Sequence, residues 1–310
     1  MYWANFLHIY QPPNQTPEML ERIVNESYRK IIQGLKDNPK AKISLNINAG
    51  LTELLVKNGY QDVINGFREL AERGQIEFTE SAKYHAFLPL IPKSEIARQI
   101  KLNYQTNRRY LGKVYQPEGF FPPEMAYHQK IVEVVARLGY KWMIVDELAY
   151  QGKLGRVSYD QIYTIKGLKD FKIFFREQKA TNLIVGAIIR SRSALLEALE
   201  EELAEDRYLL TAIDGETIGH HRPGLENLFF DICRSRAFKK ITISEIAKYF
   251  PQTTAIKPIA CSWSSTEESV RNGIPYFQWQ HPKNPIHQWQ WALTNLAIKM
   301  VHQMNKKSAN

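Results

Sequence analysis

Short apolar runs alternate with amphipathic stretches along most of this chain, and that alternation limits the fold more than any other feature. The apolar runs occupy residues 2–8, 42–46, 76–79, 119–122, 142–145, 172–175 and 208–213, with a weaker one at 256–261. Each has the length of a buried strand. Between them, residues 18–36, 61–73, 95–111, 129–138, 192–204, 224–235 and 244–250 carry helical periodicity. Thr16 before Pro17 reads as an N-cap with a first-turn proline, Ser94 before Glu95 reads similarly, and Gly139 reads as a helix stop. Strand alternating with helix predicts a mostly parallel sheet under helical cover. Seven or eight units in about 260 residues fit a closed barrel better than an open sheet. Residues 151–178 break the rhythm and read as a loop or hairpin insertion, and residues 285–306 read as one long helix.

Composition removes several function classes. The 310 residues suffice for one barrel domain. A net charge of +9 is spread over helical stretches, with no basic arm and no nucleic-acid motif. No apolar run approaches the roughly 20 residues of a membrane span. The first residues lack the basic and apolar regions of a signal peptide. Cys233 and Cys261 stand in no metal or redox spacing, which fits two buried thiols in a reducing cytoplasm. The expected partner is therefore neither nucleic acid nor membrane.

A barrel collects its functional groups at the C-terminal ends of its strands. Reading those ends in order gives His8 with Gln11, Asn46 with Asn48, then Glu77, Glu80 and His85. Glu124 follows, then Asp146 with Glu147, Arg176, and finally Asp214 with Glu216. Any one of these can be an ordinary turn residue. Glu124 and Asp214 stand out because each follows an apolar run that desolvates its surroundings. Two carboxylates from separate strand ends facing one pocket are what glycoside hydrolysis requires. A separation of about 5–5.5 Å goes with retention, and about 6.5–9.5 Å with inversion.

Taken together, these segments resemble glycoside hydrolase family 57, whose members act on α-glucans and related glycans. Leu7-His8-Ile9-Tyr10-Gln11-Pro12-Pro13 is similar to the family's His-x-His-Gln-Pro motif. Gly74-Gln75-Ile76-Glu77-Phe78-Thr79-Glu80-Ser81, with Tyr84-His85 and Leu88-Pro89-Leu90, is similar to its second. Residues 119–127 resemble the segment carrying the nucleophile, Phe174-Phe175-Arg176-Glu177 a Phe-Arg-Asp stretch, and Asp214-Gly215-Glu216 the segment carrying the acid/base.

The resemblance implies an α/β fold, a distorted (β/α)7-type barrel over residues 1–262, with a short helical segment over 263–310 packed on it. It implies a retaining mechanism with no metal or organic cofactor. Glu124 becomes the nucleophile and Asp214 the general acid/base. His8, Glu77, His85 and Arg176 become substrate binders or tuners of titration. Gln11 supports the first loop, and Trp263 covers substrate or packs. Trp289 and Trp291 are expected to pack against the barrel. Two departures stand out: Tyr10 replaces the second motif histidine, and Glu80 replaces a small residue, adding a charge near the pocket. The implied activity is that of an amylase or 4-α-glucanotransferase on an oligo- or polysaccharide. The alternatives are a non-catalytic glycan binder and a metal-dependent carbohydrate deacetylase. The second lacks its His-x-x-x-His pair here, and His220-His221 are adjacent and flank the Asp214 loop.

Overall fold

The computed structural model describes residues 1–168 and 170–307. Its strands are β1 (Tyr2–Ile9), β2 (Ile43–Ile47), β3 (Ile76–Glu80), β4 (Gly119–Phe120), β5 (Trp142–Asp146), β6 (Ile162–Ile165), β7 (Lys172–Arg176), β8 (Tyr208–Asp214), β9 (Lys239–Ile241) and β10 (Thr253–Ile256). They form one sheet, ordered β10-β6-β7-β5-β4-β3-β2-β1-β8, with β9 beside the start of β1. The path from β8 through β1 to β7 is parallel throughout. It curls until its ends meet, where the Glu177 amide donates to the Leu210 carbonyl at 2.8 Å. Seven strands and one closing hydrogen bond make a barrel of the distorted (β/α)7 kind.

Parallel strands covered on both faces should be apolar along their length. β1 and β2 are buried almost without a break. Alternate residues of β1 go to opposite sides. Trp3, Leu7 and Ile9 pack under the helices, whereas Ala4 and Phe6 join Phe121, Leu210 and Ala212. Gly119 in β4 is required because a Cβ there would lie 2.1 Å from the Trp142 ring.

The 151–178 segment contains a hairpin, with β6 antiparallel to β7. Thr16 caps its helix by accepting from Met19 N, and Gly139 takes φ 95° after the helix Gln129–Arg137. Ser94 is not a cap. The helix Lys93–Leu111 begins one residue earlier, behind Pro92. The last strand lies at β10 rather than 256–261, and the three-residue β9 is too short for periodicity to show it.

In the helix Pro285–Lys307, Trp291 packs as expected, its indole donating to Trp279 O at 2.7 Å. Trp289 does not. It stays 70% exposed, on a face shared with Ile286, Leu293, Leu296 and Met300.

Candidate functional site

Strand parity and register assemble the barrel mouth. His8 and Asp214 continue the inward sets of β1 and β8 and lie directly opposite each other, and Asn46 of β2 flanks His8 on its other side. Across the mouth, the turn after β4 brings Glu124. A cleft of about 330 Å³ is lined by His8, Tyr10, Gln11, His85, Glu124, Asp214, Glu216, His221 and Trp263.

Glu124 is held in an uncommon backbone. Its φ is 62° and that of Met125 is 48°, in the left-handed region that L-residues rarely adopt. Two adjacent non-glycine residues in that region, with His85 at φ 52° facing them, concentrate backbone strain at this cleft. Trp263 clamps the residue from the other side. Its amide donates to Glu124 O at 3.1 Å and its indole Nε1 to Oε2 at 2.9 Å. Burial raises the Glu124 carboxyl above its ordinary range, and the indole bond opposes that rise.

His85 Nδ1 lies 3.8 Å from Glu124 Oε1. This is not an ion pair at neutral pH, because burial pushes His85 down to about 4. Its Nε2 is buried with no hydrogen-bond partner among the described residues. The ring stacks on Tyr10, centroids 4.4 Å apart at 18°, and on His8 at 4.9 Å. Tyr10, at the departure from the motif, therefore braces His85.

His8 Nδ1 donates to Asn46 Oδ1 at 2.9 Å, while Asn46 Nδ2 donates to Thr79 at 3.2 Å. That chain fixes the amide orientation, puts the proton on Nδ1 and leaves Nε2 as an acceptor. Burial first, then His85, holds His8 well below the usual histidine range.

Asp214 rises to about 6, chiefly through burial and then through the charge of Glu124, with Arg176 opposing. Glu216 rises to about 7 through burial and then through Asp214. Its Oε1 accepts from Tyr10 N, from Gln11 Nε2 at 3.1 Å and from Tyr28 OH. Tyr28 ends a π-helical turn, Val24–Tyr28, inside the first long helix, and Ser27 in that turn donates to Gly215 O at 2.8 Å. Such turns cluster at functional sites because they re-aim side chains. Gly219 lets the loop after Asp214 approach this turn, since a Cβ there would lie 2.0 Å from Glu26 O.

Six of the eight expected site residues line the cleft: Glu124, Asp214, His8, Gln11, His85 and Trp263. Arg176 sits just behind them. It pairs with Asp146 at 3.1 Å and lies 6.0 Å from the Trp263 ring. Glu77 does not belong with the others. β3 runs to Glu80, so Glu77 is its second residue, near the opposite end of the barrel. There its Oε2 accepts from Ser44 Oγ at 2.8 Å and from Ser244 N at 3.3 Å. Its carboxylate caps the helix Ile243–Tyr249 rather than meeting the cleft.

Glu80 also departs from expectation. It adds no charge to the pocket. It turns to the outer side of the sheet, where Asn103, Tyr115, Tyr140 and Ser81 N bond it. Burial pushes it from an ordinary 4.5 up to about 7. The folded state then binds a proton that the unfolded chain has released. The stability this contributes is complete below about 4.5 and is lost as pH rises through about 7. Glu80→Gln is expected to flatten the fall of Tm between pH 5 and 8. Parallel Tm curves for wild type and variant would contradict it.

The sequence reading missed Tyr28 and the lining role of His221, and it named Asn46 only as a strand-exit residue without a role. Tyr28 has no marker of its own in the sequence, being a buried aromatic like many others. Among the described residues, no group of three or more His, Cys, Asp or Glu is placed to hold a metal ion. No described helix is long and apolar enough to cross a membrane.

The parallel barrel gathers at its mouth a strained, indole-clamped glutamate and an aspartate raised to about 6, and comparison with known proteins places the chain. Residues 5–257 match the sequence model of glycosyl hydrolase family 57, and the chain belongs to that family. An α-amylase of Pyrococcus horikoshii is 24% identical over 278 residues, 85% of this chain and 43% of that protein. A 4-α-glucanotransferase of Thermococcus litoralis is also 24% identical, over 85% of this chain and 41% of its own length. Its crystal structure superposes with a TM-score of 0.72 at 21% identity, covering 85% and 41% of the two chains. A branching enzyme of Thermococcus kodakaraensis gives 0.72 at 17% identity, covering 94% and 77%. The chain spans about two-fifths of the length of the first two relatives.

Proposed function

We propose that this chain carries the catalytic barrel of a retaining enzyme acting on α-glucans, with Glu124 as nucleophile and Asp214 as general acid/base. The observation that carries the reading is the unequal setting of two buried carboxyls in one cleft. Burial raises both, but an indole donor that favours the ionised form holds Glu124 back, whereas Asp214 is raised to about 6 by burial and by Glu124 itself. Environments that raise one carboxyl further than its neighbour divide the roles of nucleophile and acid. The relatives' names, α-amylase, 4-α-glucanotransferase and branching enzyme, supply the glucan.

In the first step ionised Glu124 attacks the anomeric carbon while Asp214 gives its proton to the departing glycosidic oxygen. A glycosyl ester forms on Glu124. Asp214, now ionised, then takes the proton of an incoming water or sugar hydroxyl as that oxygen displaces Glu124. Neutral His85 presents Nε2 to a sugar hydroxyl, and His8 Nε2 accepts from another. Two buried free thiols, Cys233 and Cys261, favour a cytoplasmic, reducing setting.

The test is chromatography of products from maltooligosaccharides and from a glycogen-type glucan. A ladder shorter than the substrate indicates hydrolysis, and one extending beyond it indicates transfer. Binding of glucan with no new product would overturn the catalytic reading in favour of a glycan-binding homologue.

Trp263 gives a further prediction. Trp263→Phe removes the donor to Glu124 Oε2, a charge-assisted bond of about 1.5–3 kcal/mol. The limb of the pH–rate profile belonging to Glu124 is expected to move up by about one pH unit, with kcat/KM falling about tenfold. An unmoved limb would mean that the indole merely packs.

A further inference from the structure

At the end of the barrel away from the cleft lies a larger cavity, about 700 Å³, that the chemistry above does not use. It opens where β9 pairs with Tyr2–Ala4 at the start of β1, and His8 is at that strand's far end, about 20 Å away at about 3.3 Å per residue. Six basic side chains line it: Lys40, Lys42, Arg234, Arg236, Lys239 and Lys240. The lining carboxylates are Asp37 and Glu245. The excess is four positive charges, or three when Asp231, which holds Arg234 at 2.7 Å, is included.

Glu245 neutralises Lys42 at 2.6 Å. Lys240 donates to Ser235 O, and Lys239 lies over the Tyr249 ring at 4.1 Å. Lys40 and Arg236 have no ion-pair partner among the described residues. A concave wall of like charges repels itself, and its low-dielectric surroundings focus that field on whatever enters.

We propose that this cavity binds a small molecule that carries an oligophosphate chain. Three to four uncompensated charges match the three to four negative charges of such a group. The Arg234 and Arg236 guanidinium forks suit paired phosphate oxygens, and the lysines supply point charges.

The test is calorimetric titration of the full chain with tripolyphosphate, ATP and sulfate at matched ionic strength. Tripolyphosphate is expected to bind with Kd below about 100 µM at 0.15 M salt and to weaken as salt rises. Tighter binding of ATP than of tripolyphosphate identifies a nucleoside contribution, and equal binding identifies the phosphate chain alone as the ligand. Lys40→Glu with Arg236→Glu, both exposed positions, is expected to weaken binding at least tenfold while Tm and glucan turnover hold. Glu245→Gln keeps a capping side chain for its helix but frees Lys42, and is expected to tighten binding several-fold, which a misfolded variant could not do. Sulfate binding as tightly as tripolyphosphate, Kd above about 1 mM, or affinity unchanged in the double variant would overturn the proposal.

Discussion

Glu124→Gln is expected to abolish turnover of α-glucan, by about a thousandfold or more, while glucan affinity stays within a few-fold. The substitution keeps shape and removes only the charge that attacks. Gln also keeps an oxygen for the Trp263 indole, so the strained turn and the cleft should persist. Kinetics on maltooligosaccharides, with binding measured separately, checks this. Activity within tenfold of wild type would remove Glu124 from the chemistry. A loss of binding equal to the loss of rate would make it a substrate ligand only.

Asp214→Asn is expected to lower kcat by about 10²- to 10⁴-fold, the usual range for a positioned proton donor. Two signatures distinguish this from general damage. Substrates with acidic leaving groups need no proton, so an activated aryl glucoside should recover most of the first step. The pH profile should also change shape. Productive enzyme has Glu124 ionised and Asp214 protonated. The wild-type rate should rise as pH climbs through the raised value of Glu124 and fall as pH passes that of Asp214, near 6. The falling limb should vanish in Asp214→Asn. A limb that remains, or an aryl glucoside that is equally impaired, would assign the proton to another group, with Glu216 at about 7 the first to consider.

The barrel was legible because its strands are buried on both faces, so most of them print a short, mainly apolar run. Strand exits located most of the site for the same reason. The rule does not reach Glu77, which is the second residue both of the expected run 76–79 and of β3 itself, near the barrel's other end, and Glu80 at the exit turns outward by the period-two alternation. Helix Ala49–Lys57 escaped notice because its buried face is nearly continuous and gives no clean amphipathic signal. The π-helical turn and Tyr28 were invisible because nothing in local sequence marks one extra residue in a turn. Sequence alone leaves Trp263 open between covering substrate and packing. The structure assigns it contacts with the backbone and the carboxylate of Glu124, 139 residues away, which no local pattern encodes.

The covalent bond between the sugar and the Glu124 carboxylate can be measured directly. Enzyme incubated with 5-fluoro-α-glucosyl fluoride, then digested and mapped by mass spectrometry, should carry a single glycosyl adduct on the peptide containing Glu124, and Glu124→Gln should carry none. An adduct on Asp214 or Glu216, or turnover with inverted product and no adduct, would contradict it.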